Sequence, residues 1–235
     1  MLALNAVDFG QCPTQWQRSL YPAEYQSKLH VVHEGIDTDL VRPDASARLG
    51  LTQRELELSP GDEVLTYVAR NLEPYRGFES FMRSLPAILA ARPKAQVVIV
   101  GNDGVSYGAP AADGQSFCAL MHKELGDSLD LSRVHFLGRI PYSVYLKVLQ
   151  VSTAHVYLTY PFVLSWSMLE AMAAECLVIG SCTQPVEEVI RDGENGLLVD
   201  VLSPASIAEA VIRTLADRAE FDAIRQSARR TILQR

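Results

Sequence analysis

No CxxC pair occurs in the chain, and its four cysteines, Cys12, Cys118, Cys176 and Cys182, stand apart from one another and from any spaced histidine. That excludes a zinc framework and gives no sign of a disulfide scaffold. No apolar run reaches the roughly 18 residues of a membrane span. The opening Met1-Leu2-Ala3-Leu4-Asn5-Ala6 lacks the basic lead and apolar stretch of a signal peptide, so a cytoplasmic protein is expected. Positive charge is also scarce. With 21 Lys and Arg against 28 Asp and Glu, the net charge is −7, which argues against a protein that coats nucleic acid or an anionic membrane. The nucleotide fingerprints are missing as well: there is no Walker A loop, and the glycine-rich stretch Gly101–Gly114 lacks GxGxxG spacing after its strand, which weakens a nicotinamide-enzyme reading. No Ser-His-Asp spacing, metal-ligand cluster, internal repeat or low-complexity tract is visible, and no metal or cofactor is expected.

What is present is ordinary globular material. The 235 residues are 48% hydrophobic and 21% charged, enough for one large domain or one domain with an appendage. The first sixty residues are irregular, with a short strand at His30–His33 and a short helix expected over Leu51–Leu58 before the breaker Ser59-Pro60-Gly61-Asp62. Strand and helix then alternate. Strands are expected at Val64–Val68, Val97–Gly101, Val134–Leu137, Ala154–Leu158, Leu177–Gly180 and Gly196–Asp200. Helices are expected at Phe78–Ala91, Gln115–Gly126, Tyr142–Val151, Ser165–Glu175 and Val186–Arg191. Ser203 caps a helix opened by Pro204, and a last helix runs from Phe221 to about Leu233. The near-continuous apolar strands imply burial on both faces, so the pattern predicts an α/β fold: a Rossmann-like, doubly wound parallel sheet. Ligands on such sheets bind beyond the carboxyl ends of the strands.

Two features stand at those ends. Arg70 and Arg76 flank the turn Asn71–Tyr75 just before a helix, and a spaced pair of guanidiniums suits a diphosphate; two solvated surface arginines fit the same residues. The loop Thr159–Leu164 leads into a helix start at Ser165-Trp166-Ser167, whose free amides and positive dipole end suit an anion. Glu170, the carboxylate of an apolar helix face, could accept from the hydroxyls of a ribose, or could simply favour its helix's N-terminal dipole. His135 and His155 fall within strands and read as packed residues.

Read together, three stretches resemble the carboxyl-terminal, donor-binding domain of GT-B glycosyltransferases of the group 1 (family 4) type. Ser165–Ala174 matches the family's LEAMA helix. Leu177–Ser181, Glu187–Ile190 and Asp192–Val199 match its PVI…ExIxDGxNGLLV tail. Glu34–Asp39 with Pro43 matches the segment that opens the domain. The similarity covers about residues 28–232 and is most specific from Glu170 to Val199. It implies the C-terminal half of a GT-B fold, and it implies roles. Glu170 matches the second of two glutamates separated by seven residues, the one that holds the nucleotide ribose. Arg70 matches the arginine that neutralises the donor diphosphate, and Arg76 stands where the family usually carries lysine. Gly138-Arg139-Ile140 lies where the backbone holds the base, and the amides around Leu164, Ser165, Trp166 and Ser167 would receive the distal phosphate.

Two departures accompany the resemblance. The position of the first glutamate is Phe162, which cannot accept a hydrogen bond and suits a less polar sugar face, such as that of a deoxy or amino sugar. The acceptor-binding N-terminal domain is expected to be missing, with residues 1–27 as its remnant (Cys12–Gln17 resembles its SPTxWQ stretch) and 28–235 as the donor-binding domain. The resemblance thus implies the donor half of a retaining glycosyltransferase, inactive without its other domain. Its partners would be a nucleotide-sugar and a glycan or lipid-linked acceptor, met at the inner face of a membrane through the missing half. The alternative is a non-catalytic nucleotide-sugar-binding module or a degenerate fragment. An epimerase would need an acid–base pair that these loops lack, and a pyridoxal phosphorylase a lysine better placed than Lys28, Lys94, Lys123 or Lys147.

Overall fold

The computed structural model describes residues 2–51, 54–111 and 114–234. Its first segment consists of short pieces: α1 (Leu2–Ala6), β1 (Gly10–Cys12), α2 (Gln15–Ser19), α3 (Ala23–Gln26) and β2 (Leu29–Val31). β1 and β2 pair in parallel, Gly10 opposite Leu29, so the strand expected at His30–His33 sits slightly earlier and its pairing crosses the expected boundary at 27/28. α2 is tied to the rest of the chain electrostatically. The backbone amides of Gln15 and Trp16 donate to the Glu188 carboxylate at 2.8 and 2.6 Å, an anion at a helix N-terminus.

Where a helix was expected over Leu51–Leu58, the structure has a hairpin, β3 (Leu49–Leu51) against β4 (Leu56–Leu58), with Leu49 opposite Leu58. Burial explains the difference. Leu49, Leu51 and Leu58 alternate with exposed or half-exposed neighbours and pack into a cluster with Val64, Val98 and Val148, so a period of two prevails over local helix propensity. Thr52 and Gln53 of that segment, Ala112 and Asp113 of the glycine-rich loop, and the terminal Met1 and Arg235 lie outside the described residues.

The strands that follow are β5 (Val64–Asn71), β6 (Gln96–Asn102), β7 (Val134–Gly138), β8 (Ala154–Tyr157), β9 (Leu177–Ser181) and β10 (Leu197–Val199). They form one six-stranded sheet in the order β10-β9-β8-β5-β6-β7, every pair parallel. The connecting helices are α4 (Phe78–Ala91), α5 (Phe117–Leu125), α6 (Tyr142–Val151), α7 (Trp166–Ala173), α8 (Gln184–Glu187), α9 (Pro204–Ala216) and α10 (Asp222–Leu233). α4 and α9 match their expected starts. Ser203 caps α9 by accepting from the Ser206 amide, with Pro204 at the first helical position. α5 starts later than expected because Ser116 caps it, accepting from the Ala119 amide. The helix expected over Val186–Arg191 is shifted toward the N-terminus, opening behind Thr183 with Pro185 in its first turn.

Alternation along each strand feeds two cores. Leu65, Tyr67, Val97, Ile99 and Val156 pack beneath α4, α5 and α9. Tyr157 and Val178 pack beneath α6, α7 and α10 on the other face. Each fully buried Leu, Val, Ile or Phe contributes roughly 1.5–3 kcal/mol of transfer free energy. After β5 the chain steps outward through β6 and β7, then returns to pair β8 on the other side of β5. The winding therefore reverses between β5 and β8, and that switch point is where a sheet of this kind opens a crevice.

Candidate functional site

Two loops frame the crevice, one leaving β5 and one leaving β8. The first passes through a tight 3-10 turn at Pro74–Arg76 and ends at Gly77, whose φ of +64° is left-handed. A Cβ on Gly77 would lie 2.6 Å from Cβ of Leu158, so only glycine permits this close approach. The turn carries Arg76 inward, and the hydroxyl of buried Tyr67 holds it by donating to the Arg76 carbonyl at 2.7 Å. A backbone bond from the Tyr160 amide to the Tyr75 carbonyl, 3.1 Å, ties the two loops together.

Arg76 is 9% exposed. Its Nη1 donates to the Tyr157 hydroxyl, to Thr159 Oγ1 and to the Val163 carbonyl at 3.4, 3.1 and 3.3 Å. Its Cζ lies 5.4 Å from the Tyr107 ring centre and 5.5 Å from that of Phe162. Among the described residues no carboxylate forms an ion pair with it. A buried guanidinium satisfied only by neutral groups keeps its full charge available to an anion that enters beside it. Arg70, by contrast, is exposed at the end of β5.

The structure brings Arg70 and Arg76 together with Leu164, Ser165 and Trp166 around a cavity of about 290 Å³, which Tyr107 also lines. Arg70 is shared with an adjoining, wider space of about 1000 Å³ walled by Gly138, Arg139, Ile140, Tyr142 and Tyr145. Phe162 stands beside the first cavity, its ring 4.8 Å from that of Tyr107 and 5.7 Å from that of Tyr75. The helix start differs in detail from the expectation that its amides are all free. Ser165 is the N-cap of α7, its amide donates to the Tyr157 hydroxyl at 2.8 Å, and the Ser167 amide turns to Ser165 Oγ at 3.4 Å. Among the described residues, the amides of Leu164 and Trp166 donate to no protein acceptor. Trp166 is exposed, its indole nitrogen donating to Glu34 Oε2 at 3.3 Å.

Glu170 lies in the second turn of α7, 7% exposed, behind the wall of the wider space. Tyr142 donates to its Oε1 and Tyr145 to its Oε2, each at 2.7 Å. Burial, followed by the neighbouring Glu170 carboxylate, raises both phenol pKa values well above their ordinary value, so both hydroxyls stay protonated and act as donors. Each carboxylate oxygen keeps a second lone pair, and each phenol oxygen can itself accept. These two tyrosines are functional candidates that sequence reasoning missed. Their signal was present in the i, i+3 spacing of two tyrosines on one face at the start of α6, directly after Gly138-Arg139-Ile140. Glu73 was missed too: it is fully buried within the turn between the two arginines. His135 and His155 are packed in their strands as expected, at 5% and 0% exposed.

Comparison with known proteins identifies the family and the fold. The family model described as Glycosyl transferases group 1 matches residues 51–231, and a model described as Glycosyl transferase family 4 group matches residues 1–41. The chain belongs to the group 1 glycosyl transferases. It is 26% identical over 219 residues to a D-inositol 3-phosphate glycosyltransferase of Nocardioides sp., covering 87% of this chain and 44% of that protein. It thus spans less than half the length of that relative. Among solved structures, Anabaena HepE in complex with UDP superposes with a TM-score of 0.81 at 18% identity, over 100% of this chain and 61% of the other. The C-terminal domain of the group 1 protein LpcC from Francisella tularensis gives 0.70 at 22% identity, over 86% of this chain and 98% of that one. Those likenesses establish the fold, an α/β Rossmann-like domain of the GT-B type.

Proposed function

We propose that the crevice binds a nucleotide-sugar through its diphosphate and that the chain supplies the donor half of a retaining glycosyltransferase. The observation that carries this reading is Arg76, a buried guanidinium with no ion-pair partner among the described residues, set beside Arg70 at the switch point of the sheet. In this reading the base lies against Gly138-Arg139-Ile140. The ribose meets Glu170 and its two phenols, and the distal phosphate approaches the amides of Leu164 and Trp166. As the glycosyl bond breaks, negative charge develops on the leaving diphosphate, and Arg70 and Arg76 stabilise it electrostatically. Two guanidiniums already aimed at that charge supply the stabilisation without calling on a metal or cofactor. The acceptor, a glycan or lipid-linked glycan, would be held by a second domain that closes over the donor and excludes water. A soluble domain working at the inner face of a membrane suits such an acceptor. Among the described residues no helix is long and apolar enough to cross a bilayer.

Phe162 favours a second reading, a nucleotide-sugar-binding module without turnover, because the matching family position carries a carboxylate near the donor sugar. Calorimetric titration with UDP, GDP and ADP tests the shared core of both. One diphosphate is expected to bind selectively, and Glu170→Ala is expected to weaken it by roughly 1.5–3 kcal/mol, the range for hydrogen bonds to a charged group. Unchanged affinity in that variant would remove Glu170 from the site. Turnover by a chain that also carries the acceptor domain would decide between enzyme and module.

A further inference from the structure

Glu73 lines neither of the two cavities described above, yet it is fully buried two residues after Asn71, the last residue of β5. Its Oε2 accepts from three successive backbone amides, those of Ser106, Tyr107 and Gly108, at 3.1, 3.0 and 3.1 Å, and its Oε1 accepts again from Ser106 at 3.2 Å. A carboxylate taken out of water is tolerated where charge-assisted bonds of this kind saturate it, and here they also fix the path of the loop that follows β6. Asn71 adds a second tie from the same side, donating through Nδ2 to Ser106 Oγ. The residue at the centre of the clasp is Tyr107. Its ring leans on Phe162 at 4.8 Å between centres, tilted by 56°, and both rings flank the Arg76 guanidinium.

We propose that Glu73 is a positioning residue that clamps Tyr107 against Phe162 to form an aromatic wall for the donor's sugar ring, selecting a sugar that presents a C–H-rich face. The proposal rests on the donor-site reading, because it is Arg76 that would place the diphosphate and hence the sugar beyond it. Tyr107 lines the cavity that holds both arginines. The body of Tyr107 presents apolar surface to that space, with its hydroxyl as a polar tip, and Phe162 extends that surface beside the cavity. Ligand cavities combine such walls with a few fixed polar groups, and the wall here adjoins the charged group that anchors the ligand. The same turn thus carries a cation toward the diphosphate and an anion toward the loop that shapes the sugar side.

The test is the extra affinity of a nucleotide-sugar over its bare nucleoside diphosphate. It is measured by calorimetry on the 235-residue chain with UDP against UDP-glucose, GDP against GDP-mannose and GDP-fucose, and dTDP against dTDP-rhamnose. Tyr107→Ala is expected to remove about tenfold of the sugar increment, the scale of one lost aromatic contact; the increment is a ratio of two affinities, so an effect through Arg76 on the shared diphosphate cancels from it. Glu73→Ala should remove a similar increment, and the double variant no more than either alone. Glu73→Gln keeps a carbonyl oxygen for the three amides and should retain the increment, which a charge-based role would not. On the same nucleotide, 6-deoxy GDP-fucose should show a larger increment over GDP than fully hydroxylated GDP-mannose does. Melting curves of each variant confirm that a folded protein is compared. An increment that survives in folded Tyr107→Ala, or a loss that falls equally on bare diphosphate and nucleotide-sugar, overturns the aromatic wall while leaving the donor site standing. Failure of every diphosphate to bind the wild-type chain overturns the donor-site reading and the wall with it.

Discussion

Arg76 and Glu170 show opposite ways of keeping a charge inside a protein. Glu170 is answered by two phenols at 2.7 Å, whereas Arg76 makes three longer contacts to neutral oxygens and rests against two aromatic rings. Burial costs a cation its hydration, and neutral acceptors repay it only in part. Arg76→Met should therefore leave thermal stability unchanged or raise it, while diphosphate affinity falls by about tenfold or more, corresponding to the ~1.5–3 kcal/mol of a charged hydrogen bond. Parallel melting and titration experiments check this, and a marked fall in melting temperature with affinity intact would make Arg76 a structural residue. Tyr145→Phe removes one donor from the buried carboxylate of Glu170 and should cost about 1–3 kcal/mol in urea denaturation.

Among the elements, the turn that ends at Gly77 has the narrowest tolerance. Gly77→Ala meets both a left-handed φ of +64° and the 2.6 Å approach to Leu158, so it should destabilise the chain by about 1–3 kcal/mol in chemical denaturation. Little change would show that the loop can shift at low cost. The same scale shows what the sequence makes legible. The parallel strands were readable because both of their faces are buried, which leaves unbroken runs such as Val97–Val100, and α9 because Ser203 and Pro204 announce it locally. The hairpin at Leu49–Leu58 was not readable, since three leucines at these spacings suit a helix until the sheet beneath them selects one face. At the site, Arg70, Arg76, Glu170 and the start of α7 could be singled out as candidates from a resemblance carried by contiguous residues. Tyr142, Tyr145, Glu73 and Tyr107 could not, because their partners lie 25 to 35 positions away in the chain and meet only when the strands align.

For the whole molecule, the central strands hold a histidine that burial keeps neutral well below the usual range. Burial pushes the pKa of His155 down from 6.5 to about 3, and its Nδ1 lies 2.8 Å from Thr66 Oγ1 beneath the sheet. The unfolded chain binds a proton below about pH 6.5 that the folded chain refuses until about pH 3. This contribution to stability is therefore complete above pH 6.5 and is lost progressively as the pH falls from 6.5 toward 3, at up to about 1.4 kcal/mol per pH unit. Urea midpoints measured across that range should fall with acidification in the wild type and fall less steeply in His155→Gln. Parallel slopes in the two proteins would assign the acid sensitivity to other groups.

The central claim is that the switch-point crevice is a diphosphate cradle, and the direct measurement is titration of wild-type chain and Arg70→Ala with UDP and with uridine, or with the pair whose base the wild type prefers. Arg70 is exposed at the end of its strand, so its removal leaves the fold intact. The account predicts that Arg70→Ala weakens the diphosphate by about tenfold or more and leaves the nucleoside unchanged. Equal losses for both, or no loss for either, would contradict it.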